Sequence, residues 1–284
     1  MLVHGSDCSI VVKTAHREMD VPFSEETLRE AVSLLVEEAA IEGDGVSRAI
    51  RKRCGFTGCV VTPLTIGTAP LLLYLAFGSM GLPVFVSETR NVYKYGLNLV
   101  PREDADRFDL IQDRGGERRL FTGCKVKSFE LRFDRENPVR LKLDINGEYQ
   151  PEYYAFTDPF AREMGERFSG DFVTCEINGY ESKNIYGVTL SATKEGGTRT
   201  ELWIKRVLDD WTLNLPEVIE EFSITGCLLR DKYEYRHFGM FRIILKRLVL
   251  VSDETDVDSS GPVIGPLRYY AADTVTAEVF ENRE

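Results

Sequence analysis

Val139, Leu141, Leu143 and Ile145 alternate with Arg140, Lys142 and Asp144. A period of two puts the apolar set on one face of an extended chain and the charged set on the other, so this run folds as a half-buried strand and not as a helix. Residues 121–133, just upstream, alternate in the same way. Their phase changes near Lys127 and Ser128, which predicts a β-bulge. Residues 134–137, Asp-Arg-Glu-Asn, fit the loop of a hairpin between the two. A second hairpin is expected to join 186–194 to 200–207 across Glu195-Gly196-Gly197. A third joins 222–235 to 241–251 across 237–239. Near the end, Val275, Ala277 and Val279 again alternate with polar residues over 274–280. Repeated hairpins with turn signals between them predict a mainly β fold of the sandwich or barrel kind.

Helices are expected to flank this β region. Residues 24–43 read as a helix, with Ser24 as cap, Glu25 and Glu26 in the first turn and Gly43 at the end. Leu28, Ala31, Val32, Leu35 and Ala39 fall on one stripe at helical spacing, the pattern of a core-facing side. A second helix is expected over 68–78. Thr68 caps it, Pro70 sits in the first turn, and an all-apolar body demands burial. Asp158-Pro159 opens a short third helix through Glu166.

The 284 residues suffice for one large β domain or two small ones. We read an N-terminal strand and helix over 1–45 and a β domain over 46–284, divisible near 150/151. The tripeptide Thr-Gly-Cys recurs at 57–59, 122–124 and 225–227. Two readings stand: duplication of one β unit, or a recurring strand-entry solution in which Gly makes a bulge and Cys points inward.

A net charge of −11 opposes non-specific binding to nucleic acid or an anionic membrane, since either requires a cationic surface. The longest apolar runs, 71–77 and 241–251, are too short to span a bilayer. The first residues lack the basic and apolar regions of a secretory signal. Cys8, Cys54, Cys59, Cys124, Cys175 and Cys227 are widely spaced, which favours buried free thiols over a disulfide framework. Cys54 and Cys59 are loosely metal-like in spacing, without a second pair to complete a site.

The sequence shows no phosphate loop, dinucleotide fingerprint, zinc-protease motif or nucleophile elbow. Gly115-Gly116 and Gly196-Gly197 read as turns. His4, His16 and His237 are scattered, and His237 sits in an expected turn. Acidic pairs such as Asp104 and Asp106, Asp209 and Asp210, or Asp256 and Asp258 resemble glycosidase carboxylates only in spacing, because 46 acidic residues make close pairs inevitable. The run SDETDVDSSG at 252–261 lacks EF-hand spacing. We therefore expect no catalytic residues, no metal and no cofactor. Residues 82–120 lack sustained periodicity but carry Phe85, Tyr93, Tyr95 and Phe108, so they read as a long ordered loop that touches a partner.

The order LLLYLAFGS (71–79), NVYKYGLNL (91–99), FTGCKVKSFELRF (121–133), VRLKLDING (139–147), IYGVTLSATKEGG (185–197) and VIGPLRYYAADTVTAEVF (263–280) resembles the tail tube proteins of long-tailed bacteriophages, over roughly 45–284. The resemblance implies a sandwich or barrel subunit with flanking helices. Such subunits form hexameric rings that stack into a virion tail tube, after a stage in the host cytoplasm. Partners would be other copies, the tape measure and tail terminator proteins, and DNA passing through without specific binding. Membrane contact is not implied. In that setting Tyr93, Tyr95 and Leu99 would supply apolar stacking area between rings, and Arg102 and Arg107 would pair with acidic groups on the next ring. The alternatives are a tube subunit of a contractile injection system, a monomeric β-sandwich module for a ligand such as carbohydrate, and a glycosidase.

Overall fold

The computed structural model describes residues 8–15, 17–38, 47–87, 92–150, 165–207, 215–229, 238–253 and 264–282. The chain opens with β1 (Cys8–Lys13), β2 (Glu18–Asp20), β3 (Glu25–Glu26), β4 (Arg29–Glu38) and β5 (Ser47–Pro63). Helix α1 (Ala69–Phe77) leads into β6 (Gly78–Met80), β7 (Val84–Ser87), β8 (Val92–Leu99), β9 (Phe108–Arg114), β10 (Glu117–Asp134) and β11 (Arg140–Gln150). Then come β12 (Val173–Ile177), β13 (Tyr180–Glu181), β14 (Ile185–Thr193), β15 (Arg199–Val207), β16 (Val218–Leu229), β17 (Phe238–Asp253), β18 (Ile264–Ala271) and β19 (Val275–Asn282). The fold is mainly β, and every recorded ladder is antiparallel.

Two long strands organise the sheet. β10 takes β11 along one edge. On its other edge its first half takes β9 and its second half β14. β17 repeats the device, with β16 on one edge and β19 and β18 sharing the other. The path β14–β15–β18 links the two long strands. From β10 the sheet continues through β9 to β1 and β2, and through β11 to β5, β3 and β4. From β17 it continues through β19 to β8, β6 and β7, and through β16 to β12 and β13. One buried cluster, running from Ile10 to Val279, fills the space the sheet surrounds. Both that cluster and the β10–β14 and β8–β19 ladders cross the 150/151 division.

The first two expected hairpins are present. β10 and β11 pair with a register shift between Val126 and Ser128, at the bulge read from the phase change. A further shift between Thr122 and Lys125 coincides with Gly123 at φ +59°. β14 pairs β15 around Gly196 and Gly197, both at positive φ. The third pairs β16 with β17, but Phe238 and Gly239, expected in its turn, are strand residues paired with Leu229 and Leu228, and 230–237 lie outside the described residues. The three Thr-Gly-Cys sequences lie inside β5, β10 and β16 and not at strand entries.

Helix α1 forms over the expected span, although Thr68 at its N-cap position makes no side-chain capping bond into the helix. Pro70 stands in the first turn, Gly78 ends the helix at φ +92°, and all nine residues are buried. The hydroxyls of Thr65 and Thr68 lie 2.8 Å apart, and each accepts the other's backbone N–H at 3.2 Å. At the other end the Lys194 ammonium, fully buried, donates to the carbonyls of Ala76 and Phe77 at 3.2 and 3.3 Å. It thereby satisfies two of the acceptors that a helix C-terminus leaves open.

Two expectations are corrected. The helix read over 24–43 is replaced by strands β3 and β4, the latter paired with β5 from Arg29↔Thr57 to Glu38↔Ser47. The loop read over 82–120 is instead β7, β8, β9 and the start of β10, joined by a turn at 101–106. The short helix expected near 158–166 falls almost wholly outside the described residues. Among the described residues no helix is long and apolar enough to cross a membrane.

Candidate interaction surface

Of the five residues read as partner contacts, only Arg107 is exposed. Tyr95 is buried, Leu99 packs on the core, and half-buried Tyr93 meets Phe85 edge-on at 5.2 Å between centroids. Arg102 pairs with Glu195 of its own chain at 3.2 Å. Four of the five are thus engaged in their own chain.

A more coherent surface lies on the outer face of the sheet. Cross-strand register aligns Lys142, Glu130, Ser191, Glu201, Tyr270, Val249 and Val218 in one row across β11–β10–β14–β15–β18–β17–β16. The next row holds Arg140, Arg132, Thr189, Trp203 and Arg268. Their sequence neighbours Leu131, Leu141, Leu190, Leu202, Leu267 and Leu248 are buried, so these rows face outward. The Arg268 guanidinium stands 5.1 Å above the Trp203 ring, and Arg199 stands 5.8 Å above Tyr270. Both arginines also reach Glu201, at 2.8 and 2.9 Å, and these bonds hold its carboxyl below the usual carboxylate range. Val218, Val249 and Val251 extend the apolar part of the face. Trp, Tyr and Arg are the residue types that anchor protein interfaces. The signal for this face was already in residues 200–207, where Trp203 falls among the polar members of the alternation and not with Leu202 and Ile204.

The sheet also ends on an unguarded edge. Among the described residues β7 pairs only with β8. Leu82, Val84, Phe85 and Val86 are 88, 57, 46 and 52% exposed, so this segment carries its apolar side chains outside the core. Natural sheets usually blunt such edges with charge, proline or a covering element, because an open apolar edge invites another strand.

A polar cleft of about 370 Å³ is lined by Thr27, Arg29, Cys59, Lys127, Ser128 and Asp144, among others. In it Ser128 donates to Asp144 at 2.6 Å, and Thr27 donates to the Cys59 thiol at 3.4 Å. The three histidines lie outside the described residues, as do Asp209, Asp210, Asp256 and Asp258. Asp106 accepts from Tyr74 at 2.7 Å and belongs to the packing of α1. Among the described residues no cluster of three or more His, Cys, Asp or Glu is placed to hold a metal.

Among the described residues Cys59, Cys124, Cys175 and Cys227 are free thiols. Burial pushes Cys175 up to about 12, and burial with the nearby Asp109 charge pushes Cys124 higher still. Thiol titration is expected to find six reactive groups in denatured protein without reductant, and Cys124 and Cys175 silent in native protein. Recovery of stoichiometric zinc, or fewer than six thiols, would contradict this. No protein-family model and no curated protein matches the chain.

Proposed function

We propose that this chain is a structural, self-associating subunit without catalysis of its own, of the kind that builds a phage tail tube from stacked rings. The observation that carries the proposal is β7, which among the described residues has a strand on one edge only and leaves Val84, Phe85 and Val86 46–57% exposed. The outer face, with Trp203, Tyr270, Arg199 and Arg268, supports it as a second contact surface. The tail-tube identity rests on the sequence resemblance. The net charge of −11 suits it, since a carboxylate-lined lumen repels DNA phosphates and lets the genome slide.

A ligand-binding module is the competing reading, because it too would place aromatics on one sheet face. Here the faces of Trp203 and Tyr270 are covered by guanidinium groups, which favours a protein partner over a stacked sugar ring. A contractile injection tube would share the ring architecture.

Light scattering across a concentration series, with negative-stain microscopy, tests the proposal. Species far above 32.2 kDa and ring or tube profiles are expected. A monomer persisting at millimolar concentration and high salt would sink it.

A further inference from the structure

The β4–β5 hairpin has an unsupported half. β11 pairs with β5 only over Phe56–Pro63, and β3 only at Val60 and Val61, whereas β4 follows β5 back to Ser47. Among the described residues, then, Val32–Glu38 against Ser47–Arg53 is a ribbon of two strands with no third neighbour. Two strands alone are marginal in water, and each outer edge of the ribbon leaves backbone N–H and C=O groups unpaired. On the other branch of the sheet β7 has the same deficit among the described residues: one edge with no strand beside it, and Val84, Phe85 and Val86 exposed.

Each element lacks what the other supplies. β4 carries an apolar run, Val32, Leu34, Leu35 and Val36, and an open edge. β7 offers an open edge flanked by apolar side chains. A strand added there completes backbone pairing and covers apolar surface in one step. We infer that β4 of one copy adds to the free edge of β7 on a second copy, extending one subunit's sheet into the next. This rests on the self-association proposed above and names its contact. Donor and acceptor are different elements, so after pairing the donating copy keeps a free β7 and the accepting copy a free β4. Such a heterologous contact propagates until a ring closes or a filament grows, and does not stop at a twofold dimer.

Complementation between two variants tests it. In one, residues 32–53 are replaced by a short turn, which removes the donor and leaves β7. The other, Val84→Lys/Val86→Lys, charges the acceptor and leaves the ribbon. Each alone is expected to need at least a ten-fold higher concentration than the unmodified protein for half-assembly. Mixed, they should form a one-to-one heterodimer and go no further, by sedimentation. Hydrogen exchange supplies a readout without the deletion: amides of 32–38 should slow at least ten-fold when the unmodified protein assembles, and remain fast in the lysine variant. The inference is overturned if the lysine variant or the shortened protein assembles normally. It is also overturned if the mixture of folded variants stays apart, or if 32–38 exchange equally in both states. In those cases self-association itself survives. An unmodified protein that never associates overturns both.

Discussion

Gly78→Ala is expected to lower the stability of the folded chain by about 3 kcal/mol. Gly78 sits at φ +92°, where an L-residue is strained. A Cβ there would lie 2.6 Å from the Lys194 Nζ, 2.8 Å from the Ala105 Cβ and 3.1 Å from the Val100 Cγ2. The ammonium cannot simply retreat, because it is fully buried and donating to the last carbonyls of α1. Backbone strain accounts for about 1–2 kcal/mol and overpacking for about 1–3. Gly116→Ala separates the two. Its φ is also +92°, but nothing lies within 4 Å of its Cβ position. It should therefore show the backbone cost alone, about 1–2 kcal/mol. Denaturant unfolding of both variants is the measurement. Equal losses would show that the space around Gly78 is not tight.

The second large effect is alkaline. Burial, with Lys125 adding a smaller push, lowers Lys194 to about 8 from the ordinary 10.5. Between those values the unfolded chain holds a proton that the folded chain has released, so this group adds stability as pH rises, at about 1.4 kcal/mol per pH unit. The thiols act the other way. Cys124, Cys175 and Cys227 are raised by burial from an ordinary 9.0, so above pH 9 the unfolded chain loses protons that the folded chain retains. Tyr74, raised first by burial and then by its bond to Asp106, joins them above pH 10. Four opposing groups, three thiols from pH 9 and Tyr74 from pH 10, outweigh one. Stability should rise gently from pH 8 to 9 and then fall, losing several kcal/mol by pH 11. Urea midpoints across that range test it. The double variant Cys124→Ala/Cys175→Ala should flatten the fall, and a fall of unchanged steepness would remove the thiols as its cause.

How far the fold was legible depended on whether a segment's neighbours obey one rule. α1 is set by local devices, Pro70 in its first turn and Gly78 at its end, and its span was legible, though Thr68 does not cap it through its side chain. The hairpin of β10 and β11 has one wet face and one dry face, and alternation revealed it. β9 is different. Val11, Ile111 and Leu120 align in one cross-strand row and form a buried cluster of their own, on the face opposite Val12, Leu110 and Phe121. A strand buried on both faces does not alternate, so 82–120 looked structureless. The run 24–43 failed for another reason. Its Ala, Glu and Leu content favours a helix locally, and only the distant β5, which brings Arg48 opposite Glu37 and Arg51 opposite Leu34, makes it a strand. The outward rows built around Trp203 and Tyr270 are products of register, which no single segment displays.

The β8–β19 ladder sets a clock. Lys94 on β8 binds Glu278 on β19 at 2.9 Å, across 184 residues of chain. At about 5–20 residues per second a ribosome takes roughly 10–40 s to deliver that partner. Throughout that interval one edge of β8 stands open, beside the apolar strand β7. Long-range pairing of this kind also slows folding once synthesis ends, because the loop must close before any contact rewards it. The nascent chain thus carries an unpaired β8 edge beside apolar β7 until synthesis is nearly complete, and crowding during translation bears harder on this chain than its finished stability would suggest.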